Sequence, residues 1–386
     1  MRNQKCHATL LLSTGMTTKR LGRPLKPARI WEVPLESLRI DTPSVVVDLD
    51  VAEANISRFQ TYCDSHGIKV RPHIKTHKMP ALANFQIGRG AIGITCQKIS
   101  EAEAMIADGG IDDVLITYNI LGEAKLARLR ALSEKVKLSV VADNLTVVRG
   151  LSGAFATATS PLPVLVECDT GAARCGVSDP EEAATLAAEI DALPGLTFRG
   201  LMTYPPAGAA SKVTAWLTQT KNLIAAKGLS VEVVSSGGSP DMWHAHEMPL
   251  ATEYRIGTYA YNDRSLVERG TCSWEDCALT VLATVVSVPS EKRAIIDAGS
   301  KVLTSDLLGL NGHGHILGRD DLVIDQLSEE HGRIVSEGPI GLEVGDQVQI
   351  VPNHACVVAN MLNRVELVRG SKHLGSTPVA ARGQVW

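Results

Sequence analysis

The segment RPHIKTHK, residues 71–78, places two lysines and two histidines at the end of an extended run. A lysine held away from water has a lowered pKa and becomes a nucleophile toward aldehydes, so Lys75 is a candidate to form a Schiff base. A solvent-exposed basic turn would have the same composition, and position alone favours that simpler interpretation. The choice depends on the elements around the segment and on the other reactive residues.

A second candidate site is the segment PNHACVVAN, residues 352–360, in which His354 and Cys356 are two positions apart. On a β-strand, both side chains would lie on the same face. Imidazole and thiolate are ligands of Zn²⁺ and similar metals, but two ligands are an incomplete set. A buried cysteine beside a capping histidine is an equally good interpretation of the spacing. Further side chains of ligand type, more often exposed loop residues, are Glu330, His331, His313 and His315.

Two glycine-containing segments could bind anionic groups. In SSGGS, residues 235–239, the glycines let backbone N–H groups approach a phosphate and the serines add hydroxyl donors, although most such runs are plain loops. In DTGAARCGV, residues 169–177, a turn would place Arg174 where it can bind a phenolate or carboxylate oxygen, or leave it as a surface arginine.

Eight β-branched runs alternate with amphipathic stretches between residues 68 and 261, which predicts parallel βαβ units. Eight such units close a (β/α)8 barrel of the TIM type, an α/β fold whose active sites lie at the carboxyl ends of the strands. A doubly wound open sheet is the competing architecture, but no G-x-G-x-x-G follows the first strand. The predicted strands are 68–75, 91–97, 112–119, 137–143, 162–170, 197–205, 230–238 and 253–261.

Two helix starts carry capping signals. Ser100 and Glu103 match a Ser-x-x-Glu capping box. The segment DPEEAATLAAEIDALPG, residues 179–195, has acidic residues in its first turn and Pro-Gly at its end. Both patterns predict helices between barrel strands.

The alternation of strand and helix patterns ends after residue 266, where predicted strands follow one another through Gly, Pro and Asp turns without a helical pattern. This predicts a C-terminal all-β domain beside the barrel. The strand SVVVDLD, residues 44–50, would be a ninth barrel strand, so it is predicted to join the β domain instead. The predicted division is a leader over residues 1–40, a barrel over 41–265 and a β domain with the metal pair over 266–386.

Composition and charge exclude several classes of function. The chain has 386 residues and a formal net charge of −4, so nothing in its charge balance indicates nucleic acid as a partner. No apolar run reaches the roughly 20 residues of a membrane helix, which predicts no membrane association. Eight cysteines are scattered without the spacing of a disulfide framework, which is typical of a reduced, cytoplasmic protein.

The motifs, taken in order, resemble those of the D-threonine aldolase / D-serine dehydratase family. They are PHIKTHK, QKISEAE, DTGAARCG, SGGS, EYRIGTY, DAG, SEEHG and PNHAC, and the resemblance runs from about Asp41 to the C-terminus. The family consists of pyridoxal-phosphate (PLP) enzymes with the alanine-racemase-like fold of type III, a βα barrel plus a β domain. The resemblance therefore implies the same fold and cofactor for this chain.

The resemblance also implies roles for individual residues. Lys75 matches the Schiff-base lysine, Arg174 matches the arginine near the cofactor ring, and Tyr204 occupies a ring-side position. His354 and Cys356 match a pair that binds a divalent metal (Zn, Mn or Mg), with His354 acting in catalysis. The residues that match phosphate-binding elements are Gly237, Gly238, Ser239 and Tyr259.

The implied activity is that of a PLP- and metal-dependent D-threonine aldolase, which cleaves D-3-hydroxy-amino acids to glycine and an aldehyde. The cysteine of the metal pair instead favours a metal-dependent D-serine or D-3-hydroxyaspartate dehydratase, whereas QKISEAEA, DAGSK, LSEEHG and Asn360 favour the aldolase. A racemase fits poorly because it needs a second base rather than a metal. A non-catalytic PLP-binding protein would need neither the metal pair nor the β domain. Family architecture also implies a homodimer with a small-molecule substrate.

Overall fold

The structure, a computed structural model, describes residues 39–386. Apart from its last two positions, the leader predicted over residues 1–40 lies outside the described residues. Between residues 39 and 386 we find no helix that is long and apolar enough to cross a membrane.

Eight parallel strands form a barrel. They are β2 (Lys69–Pro72), β3 (Ile94–Cys96), β4 (Asp113–Ile116), β5 (Lys137–Ala142), β6 (Leu162–Cys168), β7 (Leu196–Thr203), β8 (Val233–Gly237) and β9 (Glu253–Ile256). Their order is β2-β9-β8-β7-β6-β5-β4-β3, and a bridge between His73 and Thr95 closes the ring. Five of the six residues of β5 are buried, as expected of a parallel strand covered on both faces. The predicted barrel is confirmed, and the open doubly wound sheet is wrong.

Helices precede, connect and follow the barrel strands. They are α1 (Leu49–Ser65), α2 (Pro80–Gly88), α3 (Ile99–Ile106), α4 (Glu123–Ser133), α5 (Leu145–Phe155), α6 (Pro180–Ala192), α7 (Ala210–Ala226) and α8 (Arg264–Val267). The predicted start of α6 is confirmed, because the Asp179 carboxylate accepts the N–H groups of Glu181 and Glu182. The capping box at Ser100 is wrong: α3 begins earlier, with Lys98 at its N-cap, and Ser100 lies inside the helix.

A second sheet of nine strands packs beside the barrel. Its strands are β1 (Ser44–Asp48), β10 (Leu279–Ser290), β11 (Arg293–Ile296), β12 (His315–Ile316), β13 (Leu322–Leu327), β14 (Gly332–Ser336), β15 (Gln347–Val351), β16 (Arg364–Arg369) and β17 (Lys372–Pro378). Two one-turn helices interrupt the strands, α9 (Ser300–Leu303) and α10 (Ala355–Val358). The prediction that no helix intervenes in this half is therefore wrong in detail.

The first described strand of the chain belongs to this second sheet. β1 pairs antiparallel with β10 and parallel with β16, and α1 then carries the chain to the barrel. The boundary between residues 265 and 266 stays a prediction.

One apolar cluster joins the two units beside the first barrel strand. Ile56 and Phe59 of α1 are fully buried in it, and it continues through Val70 of β2 and Ile256 of β9 into the strands of the β domain. Each such side chain contributes about 1.5–3 kcal/mol by leaving water. α10 contributes to this cluster and packs against the turn that contains Lys75.

Candidate active site

Lys75 lies in a 3₁₀ turn, Ile74–Thr76, directly after β2 and therefore at the carboxyl end of a barrel strand. The Nδ1 atom of His73, which precedes the turn, accepts the N–H of Lys75 at 3.5 Å. Lys75 is exposed, whereas every other residue from 71 to 80 is buried. The segment is therefore not a solvent-exposed basic turn. It is buried except for Lys75, whose amine lies at the barrel mouth.

The imidazole of His73 is neutral. Burial lowers its pKa well below the ordinary value, and the positive charge of Lys75 acts in the same direction. Its Nε2 lies 3.1 Å from Oε1 of Gln97, whose own Nε2 donates to the carbonyl oxygen of Thr117 at 2.9 Å. His73 therefore donates from Nε2 and keeps Nδ1 as the acceptor for the Lys75 turn.

The β domain reaches this turn through α10. The Sγ atom of Cys356 is 3.0 Å from Oγ1 of Thr76 and 3.3 Å from Oγ1 of Thr258. The expectation that His354 and Cys356 lie on a strand is wrong, because His354 is the extended N-cap of α10 and Cys356 lies in its first turn. The side chains nevertheless come together where the extended backbone enters the helix.

His354 and Cys356 form a coupled pair. Burial opposes the charged form of each group, but their mutual attraction outweighs it, so the pKa of His354 rises to about 9 and that of the Cys356 thiol falls below its ordinary value. Asp306, whose Oδ2 is 2.6 Å from Nδ1 of His354, also raises the His354 pKa. The positive charge of Lys75 helps to lower the Cys356 pKa. The barrel lysine and the imidazole–thiol pair therefore share one electrostatic site.

Arg174 and Tyr204 lie together at the same mouth. The Arg174 guanidinium is 4.8 Å from the centre of the Tyr204 ring, which is a cation–π contact. Burial raises the pKa of Glu167 to about 6, and the charges of Arg255 and Arg174 oppose that rise. The predicted site residues did not include Glu167 and Arg255. Their positions at the carboxyl ends of β6 and β9 were the signal that could have identified them.

The glycines of SSGGS allow close packing at this edge. A side chain at Gly237 would overlap the carbonyl oxygen of Arg255. Gly238 has φ +147°, and a Cβ atom there would lie 3.5 Å from Cε2 of Tyr204. The segment therefore lies beside Arg174 and Tyr204, as the positions of these residues at strand ends predict. The Gly238 N–H donates to the Arg255 carbonyl oxygen at 3.1 Å, so it already has a partner.

Ser239 and Tyr259 differ in their relation to this edge. The Ser239 hydroxyl accepts the N–H of Thr258 at 3.1 Å, which links the SSGGS segment to the Cys356 contact. The Tyr259 ring is buried 5.3 Å from the ring of Phe59, and its hydroxyl accepts from Nε2 of Gln86 at 3.0 Å. The structure does not bring the Tyr259 hydroxyl to the mouth, so a phosphate contact at this residue would use the backbone.

The other predicted ligand types do not assemble into a site. Glu330 pairs with Lys301 at 2.6 Å, and the ring of His315 stacks on Trp274 at 3.9 Å. Within the part of the chain that the structure describes, no group of three or more His, Cys, Asp or Glu side chains is arranged to hold a metal ion. The imidazole–thiol pair of α10 remains the predicted ligand set.

Two family descriptions match the chain. "Alanine racemase, N-terminal domain" matches residues 47–265, and "Putative serine dehydratase domain" matches residues 278–368. The first covers the whole barrel and the second most of the β domain.

Three relatives are similar over most of their length. A D-threonine aldolase of Arthrobacter sp. is 34% identical over 89% of this chain and 93% of the relative. A 3-hydroxy-D-aspartate aldolase of Paracoccus denitrificans (strain Pd 1222) is 32% identical over 91% and 94%, respectively. A D-threo-3-hydroxyaspartate dehydratase of Delftia sp. (strain HT23) is 30% identical over 83% and 92%.

Solved structures agree with these relatives. The D-threonine aldolase from Filomicrobium marinum superposes with a TM-score of 0.84 at 32% identity, over 94% of this chain and 100% of that chain. A cysteine-to-alanine mutant of D-threo-3-hydroxyaspartate dehydratase in the metal-free form gives a TM-score of 0.80 at 28% identity, over 91% and 99%. The chain belongs to the alanine-racemase-like family of PLP enzymes that includes D-threonine aldolases and 3-hydroxyaspartate aldolases and dehydratases, all of them lyases.

Proposed function

We propose that the protein is a PLP- and divalent-metal-dependent D-threonine aldolase, which cleaves D-3-hydroxy-amino acids to glycine and an aldehyde. The observation that carries this proposal is the meeting of two domains at one site. Lys75 stands at the barrel mouth, and His354 and Cys356 of the β domain lie against the same turn. Similarity to the Arthrobacter and Paracoccus aldolases supports cleavage as the reaction.

The residues at the mouth fit PLP. An exposed amine within a buried segment suits its aldehyde, and two adjacent glycines, which present backbone without side chains, suit a phosphate. When bound, the pyridoxal ring supplies an electron sink for a bond broken at the substrate Cα. The residues that would hold the cofactor are Lys75 at the aldehyde, Arg174 at the phenolate oxygen, Tyr204 beside the ring, and Gly237, Gly238, Ser239 and the Tyr259 backbone at the phosphate.

The imidazole–thiol pair fits a divalent metal. The Asp306 carboxylate lies at Nδ1 of His354, which leaves Nε2 and the Cys356 thiolate as donors. Two protein ligands leave open positions for water and substrate, as in catalytic rather than structural metal sites. A metal held there supplies a Lewis acid for the substrate β-hydroxyl. The cysteine favours Zn²⁺, while Mn²⁺ and Mg²⁺ remain in the proposal.

The proton that Lys75 removes from the substrate determines which of two reactions follows. Removal of the α-proton at Cα, followed by departure of the β-hydroxyl, gives dehydration. Transfer of the β-hydroxyl proton to Lys75 instead breaks the Cα–Cβ bond, so the β-carbon leaves as the aldehyde and Cα takes up a proton to give glycine. His73 is neutral and its Nδ1 already accepts the Lys75 N–H, so it orients the turn without adding charge.

A dehydratase acting on D-serine or D-3-hydroxyaspartate is the second candidate. Cys356 favours it, as does 30% identity to the Delftia dehydratase. A non-catalytic PLP-binding protein is a poorer proposal, because the relatives over most of the chain are enzymes.

A product assay separates these candidates. The purified protein, with PLP and a divalent metal, is incubated with D-threonine, D-3-hydroxyaspartate or D-serine. Acetaldehyde and glycine from D-threonine, without 2-oxobutyrate, are the expected result. Oxo acid and ammonia from any of the three would replace the aldolase by the dehydratase, and no turnover of any substrate would leave the binding protein.

We further propose a cytoplasmic homodimer. Tyr118, Leu121 and Tyr204 follow barrel strands and are 39–52% exposed, and Leu307 and Leu308 beside Asp306 are similarly exposed. Apolar surface of this kind around a site is suited to a partner. The seven cysteines between residues 39 and 386 are unpaired, which fits a reduced compartment. Light scattering at micromolar concentration tests the dimer.

A further inference from the structure

Asp306 lies next to the imidazole of His354, although 48 positions separate the two residues. Its Oδ2 is 2.6 Å from Nδ1 of His354, within the range of a charge-assisted hydrogen bond. Because a carboxylate can only accept, Nδ1 carries the proton, and the lone pair of the ring remains on Nε2. Only Nε2 can then bind a metal.

The backbone around Asp306 is built to hold it there. Thr304 has φ 62° and ψ 168°, a combination that is nearly restricted to glycine and that persists only where the surroundings enforce it. The Thr304 hydroxyl accepts the N–H of Asp306 at 3.3 Å. The side chain of Asn353, the residue before His354, donates to the Asp306 carbonyl oxygen at 3.4 Å and to that of Gly312 at 2.9 Å. The loop and the imidazole are therefore held by the same stretch of chain.

A carboxylate at the far nitrogen of a metal-binding histidine has a known physical effect. It fixes the tautomer, restricts rotation of the ring and raises the basicity of the nitrogen that faces the metal. Loss of such a partner typically weakens metal binding by about 10- to 100-fold. The side chains of Asp306 and His354 are 35% and 28% exposed, so both are partly accessible to solvent.

We propose that Asp306 is a positioning residue for the metal: its carboxylate holds the Nδ1 proton of His354 and so aims Nε2 at the divalent cation that Cys356 shares. The inference rests on the proposed metal-dependent function. It adds a residue that neither touches the metal nor has a role in the motifs. An alternative effect of the same geometry is activation of Cys356 as a reactive thiol, and the test separates the two.

The experiment measures metal affinity rather than activity alone. The full chain carrying PLP is stripped of metal with a chelator, and the Kd for Zn²⁺ and for Mn²⁺ is measured by competition with a chromophoric chelator. Asp306→Ala should weaken both affinities by about 10- to 100-fold, and Asp306→Asn, which keeps an acceptor without its charge, should fall at the lower end of that range. Activity should return at saturating metal, because Asp306 does not touch the substrate.

Asp320→Asn is the matched control. Asp320 lies 3.5 Å from Nε2 of His315 in the same domain, and its side chain is 91% exposed. It pairs with a histidine outside the proposed site, so its removal should leave the Kd unchanged. Equal losses in the control and in Asp306→Asn would overturn the inference, since they would report only a change in net charge.

Two further variants separate this inference from the proposed metal site. If His354→Ala and Cys356→Ala bind metal as tightly as the natural chain, the metal site itself is wrong. If those variants lose binding while Asp306→Ala retains it, only the positioning role is wrong. The positioning role is also overturned if Asp306→Ala changes the alkylation rate of Cys356 in metal-free protein but not the Kd. If Asp306→Ala does not fold, by circular dichroism and cofactor absorbance, the Kd of Asp306→Asn decides.

Discussion

The candidate site contains one histidine on its barrel side and another on its β-domain side, and the pKa values of the two are shifted in opposite directions. On the barrel side, burial of His73 and the positive charge of Lys75 hold its pKa well below the ordinary value, although the hydrogen bond to Gln97 acts in the opposite direction. On the β-domain side, burial also acts against the charge of His354, but Cys356 and Asp306 raise its pKa to about 9. Burial lowers the pKa of both imidazoles, so the difference between them follows from their partners: a cationic amine beside His73, and a thiol and a carboxylate beside His354.

This difference suggests a division of roles between the two domains. The barrel side combines one exposed amine with neutral neighbours, which suits the aldehyde of PLP. The β-domain side combines an imidazole with a thiol that ionises readily, which suits a divalent cation. If the division holds, variants on one side should remove one cofactor and spare the other.

Lys75→Ala should have the largest effect. Without the amine, PLP cannot become covalently attached, and the group proposed to take a proton from the substrate is absent. Activity should fall by about 10⁴-fold, the upper range for loss of a general base. Metal affinity should stay within twofold of the natural value, because Lys75 only assists the ionisation of Cys356 from a distance.

The measurement is borohydride reduction followed by mass spectrometry of the attached cofactor, with Lys125→Ala as the matched control. Lys125 is an exposed residue of α4 and should be dispensable. A Lys75→Ala chain that still carries reducible PLP would contradict the assignment.

Cys356→Ala should have the next largest effect and should act on the other cofactor. It removes one of the two proposed protein ligands, so metal affinity should fall by more than about 100-fold, beyond the range for an outer-shell partner. PLP should remain attached. Cys272→Ala, at a cysteine of similar partial exposure, is the control. Elemental analysis measures the bound metal and cofactor absorbance measures the bound PLP in the same sample. Loss of both PLP and metal would disprove the division of roles between the two domains.

The sequence predicted the barrel well, together with the residues that meet at the carboxyl ends of its strands. Eight β-branched runs with helical stretches between them determine a closed parallel ring, and the carboxyl ends of its strands necessarily meet. Arg174, Tyr204 and Gly238 come together for this reason, although they are far apart in the chain. The strands are recognisable in the sequence because most of their residues are buried, so each strand is a nearly continuous apolar run.

The part of the candidate site that the β domain contributes was less predictable. The run HACVV is short and apolar, and such runs fit a strand or a helical turn equally well. Asp306 follows α9 in a strained loop, and no pattern in its neighbourhood indicates that it faces a histidine 48 positions later. The Ser100 capping box failed for a related reason: the helix begins one residue before it, and the pattern carries no information about that shift. Contacts between segments that are far apart in the chain leave little trace in local sequence.

The neutral imidazoles of the barrel side also predict a pH effect on stability. Burial lowers the pKa of His77 from 6.5 to about 4, so between those values the unfolded chain binds a proton that the folded chain does not. The free energy of unfolding should therefore fall as the pH falls from 6.5 toward 4, by about 1.4 kcal/mol per pH unit from this residue.

Chemical denaturation across that pH range checks the effect. His77→Gln should reduce the slope by about one proton, whereas His331→Gln, at an exposed histidine, should leave it unchanged. An unchanged slope in His77→Gln would show that His77 titrates normally in the folded chain. It would also weaken the contrast between the two sides, because burial would then not be keeping barrel histidines neutral.

The smallest effect concerns the contact that joins the two sides. The Thr76 hydroxyl lies 3.0 Å from Sγ of Cys356, and Thr76→Val removes this hydrogen bond while keeping the volume of the side chain. The thiolate then loses a donor, so metal affinity should fall by about 5-fold, or about 1 kcal/mol, with PLP binding unaffected.

Thr95→Val is an informative control, because Thr95 is equally buried but its hydroxyl has no hydrogen-bond partner among the described residues. Its replacement should leave metal affinity unchanged and raise the free energy of unfolding by about 1 kcal/mol, since an unsatisfied buried hydroxyl is removed. If Thr76→Val weakens PLP and metal binding alike, the two sides act as one unit, and the separate roles inferred from His73 and His354 do not hold.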